Sequence, residues 1–558
     1  MRVASRFPTI ASTVAAALLL AACGGETTGP AGPPAAPANL TVTPLSSTSV
    51  QVSFDAVSGA TGYRVQRATG AAGTDWATVG TPAGSPWTDN GLAVSSTYSY
   101  RVAALAGSDA SDYSAPVQVT TQDKPVQVVS QNITASTTWT NDRDYLLQGF
   151  IKVTNGATLT IQEGTTIKGD FNTLGSSLFI LRGARIQALG TAAAPIVFTS
   201  SQPEGQRLAG DWGGLIIVGN GIINRGAPVI LEGTGTSAAN PQVDYSGGTN
   251  NADDSGILRY VRIEFAGFGS APNVELNSLT LAAVGSGTEI HHVQAMHGLD
   301  DSFEWFGGAV DTRYLVSYNA GDDHFDMSEG HQGRHQFLIG LQNTRVVPRP
   351  PGILATDPQG IENDGCDGAN CLNGQNSLPL TQPVIANFTL VGVPATVAAT
   401  AAGDVGMMIR RGVGGYYLNG VVARWSRAGI SLRDQNTLNR ITAGELVLNN
   451  ILLAEVGAAF QPQSGATVQG ALDQAANAIE SSAATATGLF ASLPAAPTVA
   501  TLDWTPSAGS PARTGGLATF PAALAARAGG FITGTSYRGA VDPNGAKWWQ
   551  GWTNYATN

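Results

Sequence analysis

Two near-copies of one acidic motif, 22 residues apart, constrain this chain more than any other feature. The first reads Gly298-Leu299-Asp300-Asp301-Ser302-Phe303-Glu304 and the second Ala320-Gly321-Asp322-Asp323-His324-Phe325-Asp326. The offset lays Asp on Asp twice, Phe325 on Phe303, Asp326 on Glu304 and Gly330 on Gly308. A step of this length suits one coil of a parallel β-helix, in which successive coils lie at strand spacing, roughly 4.8 Å. The motif would then be a ladder of stacked carboxylates. All six histidines also fall between His291 and His335, so any chemical site is expected there.

The flanking sequence has the texture such a solenoid needs. Short β-branched runs broken by Gly and Asn recur at 22 to about 32 residues. Examples are Val153 to Ile161, Ile180 to Ile186, Pro195 to Ser200, Leu258 to Phe265 and Arg313 to Tyr318. A single coil cannot bury its own core, so coils must stack. The longer intervals imply insertions, from Thr234 to Ser255 and from Pro348 to Pro383. Further sandwich domains would instead show strands every 8 to 12 residues with hairpin turns. The expected fold class is all-β: an N-terminal sandwich over residues 37–122, then a right-handed parallel β-helix over 126–450. Residues 451–558 are expected to form a mixed cap on its open end, with a helix around Leu472 to Ser482.

The N-terminus reads as targeting sequence. Arg2 and Arg6 precede a short apolar run, Ala15 to Ala22, too brief to span a bilayer as a mature helix. The run ends Leu20-Ala21-Ala22-Cys23-Gly24, which resembles a bacterial lipoprotein box. The resemblance implies removal of residues 1–22 and lipidation of Cys23. With Gly24 following, it also implies sorting to the outer membrane. Residues 23–36, rich in Gly, Pro and Ala, would be a flexible tether. Cys366 and Cys371 share a Gly/Asp/Asn loop in a compartment where disulfides persist, so a local disulfide is expected. The net charge is −11 with no basic run, which argues against nucleic acid as a partner.

Three resemblances add to this reading. Val50 to Phe54, Tyr63 to Arg67 and Tyr98 to Ala103 resemble strands of a fibronectin type III domain, with Tyr98 as its corner tyrosine and Phe54 in place of the usual core Trp. Gly210 to Ile217, Leu258 to Ala266, Asp300 to Gly308 and Trp548 to Thr553 resemble a group of bacterial surface β-helix proteins. That likeness implies a lipid-anchored envelope protein, displayed outside the cell. Its partners would be the membrane, through the anchor, and a polysaccharide, a surface polymer or an outer-membrane transporter. Finally, Gly321-Asp322-Asp323 with Asp300 and Asp301 before it and His331 after it resembles the polygalacturonase-type hydrolases. By that likeness Asp323 would be the general acid and Asp301 and Asp322 would position water. The chain departs from that family in lacking the Asn-Thr-Asp triplet and the substrate-holding Arg-Ile-Lys.

Strand alternation sends Phe303 and Phe325 inward, and Ser302, His324, Glu304 and Asp326 outward. Two carboxylates about 5 Å apart repel by roughly 3 kcal/mol at an effective dielectric near 20. Asp300, Asp301, Glu304, Asp322, Asp323 and Asp326 must therefore bind a cation, share protons or pair with a base. Calcium is the cofactor that hard oxygen ligands favour. Three readings follow: a structural edge, a calcium-assisted surface for polysaccharide on which Trp305, Phe306, Tyr314 and Tyr318 would stack sugars, or catalysis through Asp301, Asp322, Asp323 and His331. The 22-residue spacing of His291, Arg313 and His335 further predicts a basic stack beside the acidic one.

Overall fold

The computed structural model describes residues 32–271, 274–465 and 468–556; Cys23 and the segment before it lie outside them. The chain divides between Lys124 and Pro125 into two compact units.

The first unit is an antiparallel sandwich. Thr41–Ser46, Ser49–Ser53 and Trp87–Asn90 form one sheet, and Ala77–Gly80, Gly62–Thr69, Thr97–Ala106 and Val117–Thr120 lie in the other. Inward residues alternate along each strand, as in Val50, Val52 and Phe54 or Tyr63 and Val65. Phe54 packs on Tyr63 with ring centroids 4.6 Å apart. The backbone N–H of Ala93 donates to the Tyr98 hydroxyl at 2.9 Å, closing the corner expected of that tyrosine.

The second unit is a parallel β-helix. One wall is a sheet from Phe150–Val153 through Ser177–Ile180, Gly214–Val218, Leu279–Ala282, Phe303–Phe306, Phe325–Ser328, Gln359–Asp364 and Val405–Arg410 to Ala428–Arg433. Its inward column runs Leu178, Leu215, Leu279, Phe303, Phe325, Ile361, Met407, Ile430, each in register with the next. Phe303 and Phe325 are fully buried and stacked, with centroids 5.5 Å apart. The 22-residue step is therefore one coil.

The remaining walls belong to a second sheet. Early coils carry two separate strands there, such as Thr158–Ile161 and Thr166–Gly169. In the middle coils they fuse into long bent strands: Gly256–Glu264, Glu289–Met296, Thr312–Tyr318, Arg334–Leu341 and Val384–Val391. Each bend is made by one residue in the left-handed region, namely Tyr260, His292, Tyr314, Phe337 and Asn387, with φ between 50° and 65°. Asn tolerates this conformation, whereas an aromatic residue there is strained. The four rings stack on one another at 4.4, 4.5 and 5.0 Å, and that contact offsets the strain.

Three expectations need correction. Parallel pairing continues past residue 450, through Leu452–Ala454 to Glu480–Ser482, and no helix forms around Leu472 to Ser482. Val456, Phe460, Leu472 and Ile479 do close on the interior core, as a cap would, but the rest of the C-terminal segment does not. It runs back along the outer face of the second sheet, where Val316, Tyr318, Ile339, Leu341 and Val391 point outward and are covered by Trp504, Trp549, Trp552 and Tyr555. Gln294 and Asn554 exchange hydrogen bonds at 2.6 and 2.7 Å, fixing the far end of this strap 260 residues upstream. An outer face that apolar must be covered along its length, and an end cap would leave it wet.

Candidate carboxylate centre

The outward column of the first wall reads Phe179, Ile216, Thr280, Glu304, Asp326, Glu362, Met408. Three carboxylates are thus stacked in direct register on adjacent coils. At the corner before them sit Asp300 and Asp301 on one coil and Asp322 and Asp323 on the next. Gly321 permits this corner: a Cβ there would lie 1.8 Å from the carbonyl oxygen of Leu299.

The corner residues divide into two roles. The backbone N–H of Asp301 donates to Asn277 Oδ1 at 3.1 Å, and that of Asp323 to Asp301 Oδ1 at 2.8 Å. Asp323 Oδ1 in turn accepts from the N–H of Gln359, and Gln359 Oε1 accepts from Val405 N at 3.0 Å. One side-chain oxygen per coil thus ties each corner to the next. The carboxylates also converge in three overlapping groups: Asp300, Asp301 and Asp322; Asp301, Glu304 and Asp326; Asp323, Asp326 and Glu362. Within each group one oxygen from every residue lies within 4.8 Å of the others. The Oδ1 atoms of Asp322 and Asp326 are buried and accept no hydrogen bond.

Burial pushes the carboxyls of Asp300, Asp301, Glu304, Asp322, Asp323 and Asp326 well above the usual carboxylate range, and their neighbours' charges push them further. Glu362 is moved to about 7 by burial and by Asp364, against the pull of Arg410. Compensating cations stand at the rim. Arg410 pairs with Glu362 and reaches Asp364 at 2.7 Å, and Arg225 holds Glu329 at 2.7 Å. The insertion before Gln359 folds over the corner and leaves a cavity of about 260 Å³ lined by Glu275, Asp300, Asp322 and Asp357 together with Ile353 and Leu354. The cluster is the kind of all-oxygen donor set that calcium takes.

Other expected site residues lie elsewhere. His324 points into the coil, where its Nδ1 is 2.5 Å from the Ser317 hydroxyl, which donates to Ser302. Both are buried because the chain turns at this corner, so the strand alternation that would send them outward does not hold. His331 and His335 pair in the interior, Nε2 to Nε2 at 2.9 Å, beside Trp305. His331 is therefore not a neighbour of the aspartates in the manner the hydrolase likeness requires. The basic stack also fails at its third member. His291 pairs with Arg313, but Arg313 pairs with Gln336, and His335 lies opposite Thr312. One extra residue in that coil flips the side chain to the other face.

The aromatic platform is absent from three of its four positions. Trp305 and Tyr318 are fully buried, and Phe306 is 8% exposed beneath the first insertion, against Tyr245. Tyr314 lines a cavity on the second sheet. Cys366 and Cys371 form the expected disulfide. Glu362, Glu275 and Asp357 escaped the sequence reading because insertions break the 22-residue step. The recurring apolar–acid pair, Phe303-Glu304, Phe325-Asp326 and Ile361-Glu362, was the available signal for the first of them.

Comparison with known proteins agrees with this architecture. A family model described as a pectate-lyase-like β-helix domain matches residues 131–505, most of the chain. The chain belongs to that family. A fibronectin type III model matches residues 35–120. Among solved structures, the FN5 domain of Drosophila Lar is 28% identical, covering 16% of this chain and 97% of its own, with a TM-score of 0.15. An Fn3-like protein from Clostridium thermocellum is also 28% identical, covering 16% of this chain and 92% of its own, with a TM-score of 0.15. No curated protein matches the chain.

Proposed function

We propose that this chain is a lipid-anchored protein of the outer cell envelope whose β-helix binds an acidic polysaccharide through a calcium-loaded carboxylate centre. The β-helix family and the fibronectin type III module support a carbohydrate-related surface protein or enzyme. The observation that carries the finer reading is the set of three overlapping carboxylate groups with the partnerless Oδ1 atoms of Asp322 and Asp326. Such oxygens are costly to bury as bare anions and call for a cation or a proton. Calcium there would leave coordination positions toward the cavity, where the carboxylates of a polyuronate can complete the shell. Without a cation the lining of the cavity offers such a polymer no positive charge.

The hydrolase alternative loses support at its proposed residues. Asp301 and Asp323 each commit an oxygen to backbone N–H groups of the next coil. His331 is enclosed with His335.

The test is calcium titration by calorimetry on chelator-stripped protein, followed by retention on immobilised polygalacturonate. Saturable calcium binding is expected, blunted in Asp322→Asn and Asp326→Asn, with polymer retention only in calcium. Release of reducing ends would restore the hydrolase reading, and absence of calcium binding would overturn this one. For the anchor, Cys23→Ser should leave the membrane fraction; unchanged retention would refute lipidation at Cys23.

A further inference from the structure

The chain has four lysines: Lys124, Lys152, Lys168 and Lys547. Lys168 and Lys547 each pair with a carboxylate, Asp144 at 2.8 Å and Asp503 at 2.6 Å. Lys152 is 8% exposed, yet its Nζ makes no hydrogen bond or ion pair among the described residues. We infer that Lys152 is a nucleophilic amine that captures a small aromatic aldehyde as an imine.

The coil places this amine among aromatic rings. Lys152 lies on the strand Phe150–Val153, whose Ile151 and Val153 point into the solenoid interior. Phe150 and Lys152 therefore face outward together. Lys152 is in register with Phe179 on the next coil, and its Nζ stands 5.7 Å from the centre of that ring. The Phe150 and Phe179 centroids are 6.3 Å apart. Phe179 belongs to the apolar cluster beneath the first insertion, and Phe150 packs against it. Phe179, Ile216 and Thr280 separate Lys152 from Glu304 in the same outward column, so the carboxylate centre is a distinct site. The Lys152 Nζ keeps contact with solvent, whereas partnerless polar atoms such as Arg313 Nε are sealed.

The surroundings favour the neutral amine. An ammonium here loses water without gaining a counter-ion, and burial holds the Lys152 amine below its ordinary value. The Phe179 ring attracts the charged form, but 5.7 Å is near the limit of that attraction, and burial outweighs it. Imine formation removes the charge. The amine lone pair attacks the carbonyl carbon and a C–N bond forms. The amine's protons pass to the former carbonyl oxygen, which leaves as water as the C=N bond closes. No oxidant or reductant is consumed. A site poor in water slows hydrolysis of the product. The two phenyl rings favour an aryl group on the aldehyde, through offset or edge contacts.

The test is reductive trapping of the full-length protein at pH 7 with benzaldehyde and cyanoborohydride, followed by peptide mapping of the four lysines. An ordinary lysine is only about 0.04% neutral at this pH, so any selectivity comes from the site. Lys152 should be benzylated at least tenfold faster than Lys124, Lys168 or Lys547. Acetaldehyde should show a smaller preference for Lys152, and Phe150→Ala should narrow the gap between the two aldehydes. Lys152→Arg, which keeps the stem and the charge, should abolish the fast adduct. Protein unfolded in guanidinium should label all four lysines at similar rates. Asp322→Asn should leave the labelling unchanged, which keeps this site separate from the fate of the calcium reading. Equal labelling of the four lysines in the folded protein, or Lys152 as the slowest of them, would overturn the assignment and leave a shielded side chain. Equal selectivity with acetaldehyde would overturn the preference for an aromatic aldehyde.

Discussion

In chelator the β-helix should show an unusual dependence of stability on pH. Glu362 is 8% exposed, and its carboxyl stands at about 7 rather than 4.5. A raised carboxyl binds its proton more tightly in the folded state. The stabilising proton is therefore fully present below the unfolded value, near 4.5, and is lost as pH rises through about 7. The difference corresponds to ~3 kcal/mol for Glu362. The raised carboxyls of Asp322 and Asp326 act in the same direction. A unit of about 430 residues has an unfolding entropy of about 0.9 kcal/mol/K. Acidification from pH 7.5 to 5 in chelator should therefore raise the melting temperature by about 3 °C from Glu362 alone. On the proposed calcium reading, millimolar calcium should reverse the trend, because a metal binds ionised carboxylates and protons displace it. Scanning calorimetry at one scan rate, with and without chelator, measures both. Glu362→Gln should reduce the slope of the chelator curve between pH 5 and 7, leaving the part due to Asp322 and Asp326. A melting temperature that falls steadily on acidification in chelator would refute the argument.

Two further predictions concern the scaffold. Phe325→Ala removes a ring stacked in the coil interior and should cost about 3–5 kcal/mol, read by denaturant unfolding of the purified variant; a loss below 1 kcal/mol would contradict the packing. Gly321→Ala places a methyl group against the Leu299 carbonyl and should lower both stability and calcium affinity, whereas Gly368→Ala, in open space, should spare calcium binding; equal calcium affinity in both variants would separate the corner from the centre.

The sequence alone determined the repeat, and with it the coil. Between Asp300 and Asp326 nothing is inserted, so chemically equivalent positions recur at one coil's length and their register could be read directly. It also made the inward column legible, since Phe303 and Phe325 recur one coil apart with a carboxylate on the next, opposite-facing position. The tertiary structure decided what lies against the outside of that coil. Glu362 joins the carboxylate row 36 residues after Asp326, because register is set by strand pairing and ignores the length of the intervening loop. One extra residue turned His335 inward and dissolved a basic column that spacing alone predicted. Trp305 and Tyr318 follow the alternation of buried strands, which says which way a ring points but not what covers it; the first lies in the coil interior and the second under a strap from the far end of the chain. Contacts made across hundreds of residues leave no period in the sequence, because each partner needs only to be apolar. The carboxylate row was therefore legible where the repeat was intact, and its extent, covering loop and neighbours were fixed only by folding.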